Sequence, residues 1–195
     1  CGNCDGFLAN RSRVPFNLEM NILIEDGALP QDVDKVMYDF GYPMGPFAVA
    51  DLAGNDIGWE GRKRRYAANP DARILPIPDA ICELRRFGQK TRAGWYDYKE
   101  GDRTAYPSDV VEKIISDYRE KVGITPKSFT EEEILRRILF SSVNEICKIL
   151  DEAIAYKATD ADVMWLNGFG FPRYRGGLML WADQIGVKAV YEQIS

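Results

Sequence analysis

The sequence predicts an all-α fold made of two related helical units. Apolar residues recur at helical spacing over most of the 195 residues, glycine and proline close nearly every such run, and one short aromatic segment alone reads as extended. Composition agrees: 46% of residues are apolar and 28% charged, the ordinary balance of a globular protein. A body of this length hides roughly 70% of the surface its unfolded chain exposes, so a sizeable core is expected.

Phe7, Leu8, Val14, Phe16, Leu18, Met20, Ile22 and Leu23 define a first helix over 7–24, with Asp5 placed to cap its start and Gly27 to end it. Pro30 suits the entry of a second helix over 31–40, which Gly41-Tyr42-Pro43 stops. Gly45-Pro46 opens a short helix through Phe47, Val49 and Leu52 to Gly54. A further helix covers 57–68 and is closed by Asn69-Pro70; one more, over 79–87, follows the proline-rich stretch 74–78. Gly94-Trp95-Tyr96-Asp97-Tyr98-Lys99 breaks the helical period and is either an extended segment or one short strand, too little for a sheet. Pro107 then opens a helix to about Val122, and Gly123-Ile124-Thr125-Pro126 reads as a linker. Thr130-Glu131-Glu132-Glu133 is a capping box ahead of a long apolar-periodic run over 134–154. Shorter helices over 160–166, 177–185 and 187–194 complete the chain.

Charge and residue content exclude several functions. A formal charge of −5 repels a phosphate backbone. The one basic run, Arg62-Lys63-Arg64-Arg65, wraps round a helix instead of forming a face and reads as solvated surface, so no nucleic-acid partner is expected. No apolar run approaches the roughly 20 residues that span a bilayer, so no membrane span is expected, and the first residues show no basic-then-apolar leader pattern. Cys1, Cys4, Cys82 and Cys147 are too few and too scattered for a disulfide scaffold and fit a reduced compartment. The Cys1-x-x-Cys4 pair has no second pair and no histidine to complete a zinc site, so no metal is expected. The chain has no histidine at all, the side chain best suited to take and return a proton near neutral pH; any histidine-dependent catalysis must come from elsewhere.

The two halves echo each other. Asp32-Val33-Asp34 precedes Gly41-Tyr42-Pro43, Gly45 and Asp51-Leu52-Ala53-Gly54; Asp160-Ala161-Asp162 precedes Gly170-Phe171-Pro172, Gly177 and Asp183-Gln184-Ile185-Gly186. Asn17-Leu18-Glu19 matches Val143-Asn144-Glu145 more loosely upstream. An ordered series of this kind points to duplication. The units are placed at 1–104 and 126–195, with 105–125 as connecting helix and linker, and two such units bury their apolar faces most simply by packing together as a pseudo-dimer.

Asp5-Gly6-Phe7-Leu8-Ala9-Asn10-Arg11, then Gly41-Tyr42-Pro43-Met44-Gly45-Pro46-Phe47, then Phe87-Gly88-Gln89-Lys90-Thr91 running on to Gly94-Trp95-Tyr96, resemble in order and spacing the C-terminal domain of the 3-hydroxyacyl-CoA dehydrogenases. Gly168-Phe169-Gly170-Phe171-Pro172-Arg173-Tyr174-Arg175-Gly176-Gly177 resembles the extra repeat of the multifunctional β-oxidation enzymes, and the likeness covers nearly the whole chain. The resemblance implies a fold like the C-terminal domain of 6-phosphogluconate dehydrogenase. It also implies a parent enzyme that oxidises 3-hydroxyacyl-CoA to 3-oxoacyl-CoA with NAD, whose N-terminal Rossmann domain carries a histidine paired with a glutamate. Neither that histidine nor a GxGxxG strand-turn-helix unit is present here, so the chain alone is expected to be inactive and not to bind NAD.

By the same resemblance Asn10 matches the asparagine of the family's GFxxNR motif, beside the reacting carbon, where a neutral amide can donate to the 3-oxygen or hold the thioester. The other reading is an Asn bonded to the preceding turn. Lys90 matches a lysine that approaches the cofactor, or it is a surface lysine; Arg92 stands where the family usually has a glycine, which puts Lys90's aim in doubt. Pro43 and Met44, with Pro46, form a rigid turn whose Met either faces the substrate cleft or fills core. Trp95, Tyr96 and Tyr98 read as packing residues, since no basic groove accompanies them. A two-repeat chain of this kind is implied to be a monomer, from the bacterial cytoplasm or the peroxisome. The rival readings are a non-catalytic helical assembly module and another dehydrogenase with a helical C-terminal domain.

Overall fold

The computed structural model describes residues 1–194. They form the helices α1 (Phe7–Asp26), α2 (Pro30–Phe40), α3 (Pro46–Ala53), α4 (Asn55–Ala68), α5 (Pro76–Glu83), α6 (Asp109–Val122), α7 (Glu131–Asp151), α8 (Ala158–Gly168), α9 (Leu178–Ile185) and α10 (Val187–Ile194), with 3-10 turns at Gln89–Thr91 and Arg173–Arg175. Among the described residues there is no strand; isolated antiparallel bridges pair Gly88 with Ala93, Ala93 with Asp97, and Asp97 with Tyr106. The aromatic segment 94–99 is thus neither a strand nor an extended run: the chain bends at 94–96, which brings Ala93 and Asp97 together.

Local chemistry accounts for most boundaries. Thr130 and Glu133 form the expected capping box of α7: the Glu133 N–H donates to Thr130 Oγ1 at 3.2 Å and the Thr130 N–H to Glu133 Oε2 at 2.7 Å. The fifth helix departs from expectation at both ends, since α5 runs from Pro76 to Glu83 rather than over 79–87. Pro76 and Pro78 lie in its first turn, where their missing N–H groups have no helical partner to lose. Arg85, at φ 58°, takes the left-handed conformation that ends the helix early.

The described chain divides into two compact units, one of residues 1–20, 36–43 and 130–194, the other of 21–35 and 44–129. This division differs from the repeat boundaries at 104 and 126, because α1 and α2 each give one part to each unit. In the first unit Phe16 lies against Trp165, and Phe40 against Tyr42, Phe171 and Trp181, at ring centroid distances of 5.4–6.1 Å. Phe16, Phe171 and Trp165 are fully buried, and each such side chain contributes roughly 1.5–3 kcal/mol or more of transfer free energy. In the second unit Leu23, Ile24, Val33, Phe47, Ile81 and Ile115 form the core.

The end of α1 is fully accounted for. Of its last four carbonyls, that of Leu23 accepts from the N–H groups of Gly27 and Ala28, and that of Asp26 from Lys127 N–H at 2.8 Å. The carbonyls of Ile24 and Glu25 accept from the buried Arg119 guanidinium of α6, through Nε at 3.1 and 3.2 Å, and Arg119 Nη2 donates to the Ala28 carbonyl at 2.8 Å. Helix ends leave these groups without internal partners, and buried ones must be satisfied. Arg119→Met is therefore expected to cost about 3 kcal/mol in urea unfolding, against about 1 kcal/mol for Thr130→Ala at the exposed cap. An Arg119→Met cost no larger than that of Thr130→Ala would refute this assignment.

Candidate functional site

The four residues singled out by sequence do not fall in one unit: Asn10 and Pro43 belong to the first, Met44 and Lys90 to the second. Asn10 lies exposed on the first turn of α1, and its backbone N–H donates to the Gly6 carbonyl at 3.0 Å. Pro43 is exposed and Met44 half-buried. Lys90 is exposed and its Nζ is paired with Asp56 at 2.5 Å, which pulls the Asp56 carboxyl below its ordinary range. Arg92, in the glycine position of the motif, adopts φ 56°. The left-handed turn is kept although an arginine makes it.

Sequence reasoning missed the structural role of three aspartates, Asp51 and Asp162 buried and Asp34 half-buried. Asp34, on α2, accepts from the N–H groups of Phe47 at 2.8 Å and Ala48 at 2.9 Å, the second and third residues of α3, and from Tyr96 Oη at 2.9 Å. The same construction recurs in the second half of the chain: Asp162, on α8, accepts from Met179 at 2.7 Å and Leu180 at 3.4 Å, the second and third residues of α9. Both short helices begin at a glycine because the carboxylate presses against it; a Cβ on Gly45 would lie 2.2 Å from Asp34 Cγ, and one on Gly177 2.4 Å from Asp162 Cγ. The aligned Asp and Gly of the two halves were the signal, although spacing alone did not show that one contacts the other.

Asp51 holds the aromatic segment. Its Oδ1 accepts from Trp95 N–H at 2.9 Å and Asn55 Nδ2 at 2.7 Å, its Oδ2 from Tyr96 N–H and Tyr98 Oη at 3.0 Å each. Buried Arg86 ties the same segment from the other side, donating to the Gly94 carbonyl at 3.0 Å, Asp97 Oδ1 at 2.7 Å and Ser108 Oγ at 2.9 Å. Trp95, Tyr96 and Tyr98 are buried, as expected of packing residues. Desolvation raises the carboxyl pKa of Asp34, Asp51 and Asp162 against the lowering effect of their hydrogen bonds, and takes Asp34 to about 6.

The basic run is tied to its own surface. Arg62 pairs with Asp79 at 2.6 Å, Lys63 pairs with Glu60 and lies 4.0 Å from the Trp59 ring centre, and Arg65 sits over Tyr66. The cysteines are free, and among the described residues no group of three His, Cys, Asp or Glu is placed to hold a metal. No described helix is long and apolar enough to cross a membrane.

Comparison with known proteins bears on this geometry. Residues 6–98 match the family model described as 3-hydroxyacyl-CoA dehydrogenase, C-terminal domain. This chain carries a C-terminal domain of the 3-hydroxyacyl-CoA dehydrogenase family. The family is one of NAD-dependent dehydrogenases. Over 99% of its length the chain is 42% identical to the peroxisomal bifunctional enzyme of Danio rerio, and 36% identical to the glyoxysomal fatty acid beta-oxidation multifunctional protein of Cucumis sativus. It covers 29% and 27% of those proteins, less than a third of the length of either. The dehydrogenase part of multifunctional enzyme 1 from C. elegans is similar in structure, with a TM-score of 0.72 and 28% identity over 88% of this chain and 38% of that one. The all-helical dehydrogenase domain fold is therefore established for this chain.

Asp34 yields a titration with a definite sign. Its folded pKa of about 6 lies above the 3.8 of an ordinary aspartate, so between these values the folded chain holds more protons than the unfolded one. Its contribution to stability is then greatest below about pH 4 and declines as pH rises towards 6. NMR titration of the carboxyl carbons should show an Asp midpoint near pH 6 that disappears in Asp34→Asn; a midpoint below 4.5 for Asp34 would remove the effect.

Proposed function

We propose that the chain is the helical part of a longer NAD-dependent 3-hydroxyacyl-CoA dehydrogenase, one that oxidises 3-hydroxyacyl-CoA to 3-oxoacyl-CoA in fatty-acid β-oxidation, and that it supplies the substrate-side wall and interdomain packing. The observation that carries this reading is the family match over residues 6–98 joined to whole-chain similarity with bifunctional enzymes several times its length. Peroxisomal and glyoxysomal names among the relatives favour the peroxisome over the bacterial cytoplasm as its compartment.

The residues of this chain do not fit a dinucleotide site by themselves. No glycine-rich strand-turn-helix unit occurs among the described residues, and the charge of Lys90 is already met by Asp56. NAD and the proton-accepting base are therefore assigned to an N-terminal Rossmann domain of the parent. The role left for this chain is orientation. Asn10 is exposed on a helix start, which suits a side chain that completes a reaction centre built by another domain; its amide would donate to the substrate oxygen without competing for the proton. Pro43 and Met44 form a turn assigned to the cleft wall. Lys90 has a specific observation in favour of a plain surface role, its ion pair with Asp56. The two repeats, 1–104 and 126–195, arise by duplication in this reading, a view supported by the matching Asp34 and Asp162 constructions, and the second takes the place of a partner subunit.

Three outcomes follow. The chain alone should turn over neither acetoacetyl-CoA with NADH nor the reverse pair, and should scatter light as a monomer at micromolar concentration; a stable dimer would remove the pseudo-dimer reading. In the complete parent, Asn10→Ala should lower kcat about a hundredfold with little change in melting temperature. Unchanged kcat would leave the assembly-module reading in its place.

A further inference from the structure

The start of α1 is irregular. Phe7 begins the helix at φ 50°, and Pro15 inside the helix has no N–H to give the Arg11 carbonyl four residues earlier. The turn that carries Asn10 keeps the bonds from Phe7 N–H to the Cys4 carbonyl and from Asn10 N–H to the Gly6 carbonyl, each 3.0 Å, and lacks the one at Arg11. Further fixation comes from outside the helix.

Arg11, the residue after Asn10, grips the far end of α7. Its Nη1 and Nη2 donate to the two oxygens of Glu152 at 2.6 and 2.8 Å, and its Nε to Glu145 Oε1 at 2.7 Å. A second tie runs parallel to it, from Gly2 N–H to the Ile154 carbonyl at 2.6 Å. Residues 2–11 are thus fastened at two points to residues 145–154, all within one compact unit. The fork on Glu152 is bidentate and sets direction as well as distance. Glu152 is about half exposed, with a side-chain exposure of 49%, so the clamp is worth little as stability. What it does is hold Arg11, and with it the turn that carries Asn10, in one direction.

We infer that Arg11, Glu145 and Glu152 are positioning residues for Asn10, so that the second repeat aims the reaction-side amide of the first. This rests on the role given to Asn10 above. It supplies a chemical reason for the second repeat beyond packing: Glu145 of α7 and Glu152 just past its end provide the two carboxylates that hold Arg11.

The experiment is a mutant cycle in the complete parent chain, read as kcat, KM for the acyl-CoA and melting temperature. Arg11→Lys keeps the charge and loses the fork; the Glu145→Gln/Glu152→Gln pair keeps the shape and loses the charge. Each should lower kcat about tenfold, as a misplacement near 1 Å or less does, with KM changed less than twofold and melting unchanged. All three changes together should be no slower than either alone, and Arg11→Lys added to Asn10→Ala should cost nothing further. If Asn10→Ala slows the enzyme while Arg11→Lys runs at the parental rate, or if their effects multiply, the clamp is not a positioning device. If the loss appears in melting temperature with kcat intact, the role is structural and the inference is overturned. If Asn10→Ala itself runs at the parental rate, the proposed function fails and this inference falls with it.

Discussion

In short helices the unpaired backbone ends are a large share of the whole, and the way this chain meets that shortage determines much of its structure. With eight residues each, α3 and α9 expose N–H groups at their starts that no helical carbonyl can reach. In both, an aspartate from the preceding helix takes the second and third of these N–H groups. The positive end of the helix and the charge-assisted bonds favour the ionised carboxylate, while burial opposes it. The raised pKa of Asp34 and Asp162 shows that desolvation outweighs the hydrogen bonds as far as protonation is concerned. The arrangement persists because either form of the carboxyl can accept the backbone donors.

Asp51 extends the same principle from a helix to a loop. It gathers two backbone N–H groups, a tyrosine hydroxyl and an asparagine amide from the aromatic segment and α4. Tyr96 joins the two carboxylates, giving its hydroxyl to Asp34 and its N–H to Asp51. Asp183, which stands in the second half where Asp51 stands in the first, is exposed. The two halves therefore share the helix-start construction, while the Asp51 construction is found in the first.

Helix α1 shows how stability and orientation separate along one element. Its C-terminal carbonyls are buried and every one is met, two of them by Arg119, so that end is fixed by the cost of leaving polar groups dry. Its N-terminal turn is held by partly exposed charge pairs. These contribute little free energy and act mainly on direction.

Several features were legible in the sequence because their signals are local. Helical periodicity defined an all-α chain, the Thr130 capping box marked the start of α7 within its own four residues, and the ordered Asp, Gly-aromatic-Pro and Gly series flagged positions that build matching helix starts in the two halves. Three spaced motifs were enough to identify the dehydrogenase family and to single out Asn10, Pro43, Met44 and Lys90 as positions. Their surroundings were not legible. Lys90 finds Asp56 thirty-four residues away, and Asp51 reaches Tyr96 forty-five residues away. Such pairs leave no periodic trace, since any of many carboxylates in the sequence satisfies the same chemistry on paper. The early end of α5 and the sharing of α1 and α2 between two compact units were likewise decided by tertiary structure. Local preference sets where a helix can form; which buried donor meets which acceptor is fixed only when the whole chain has closed around both.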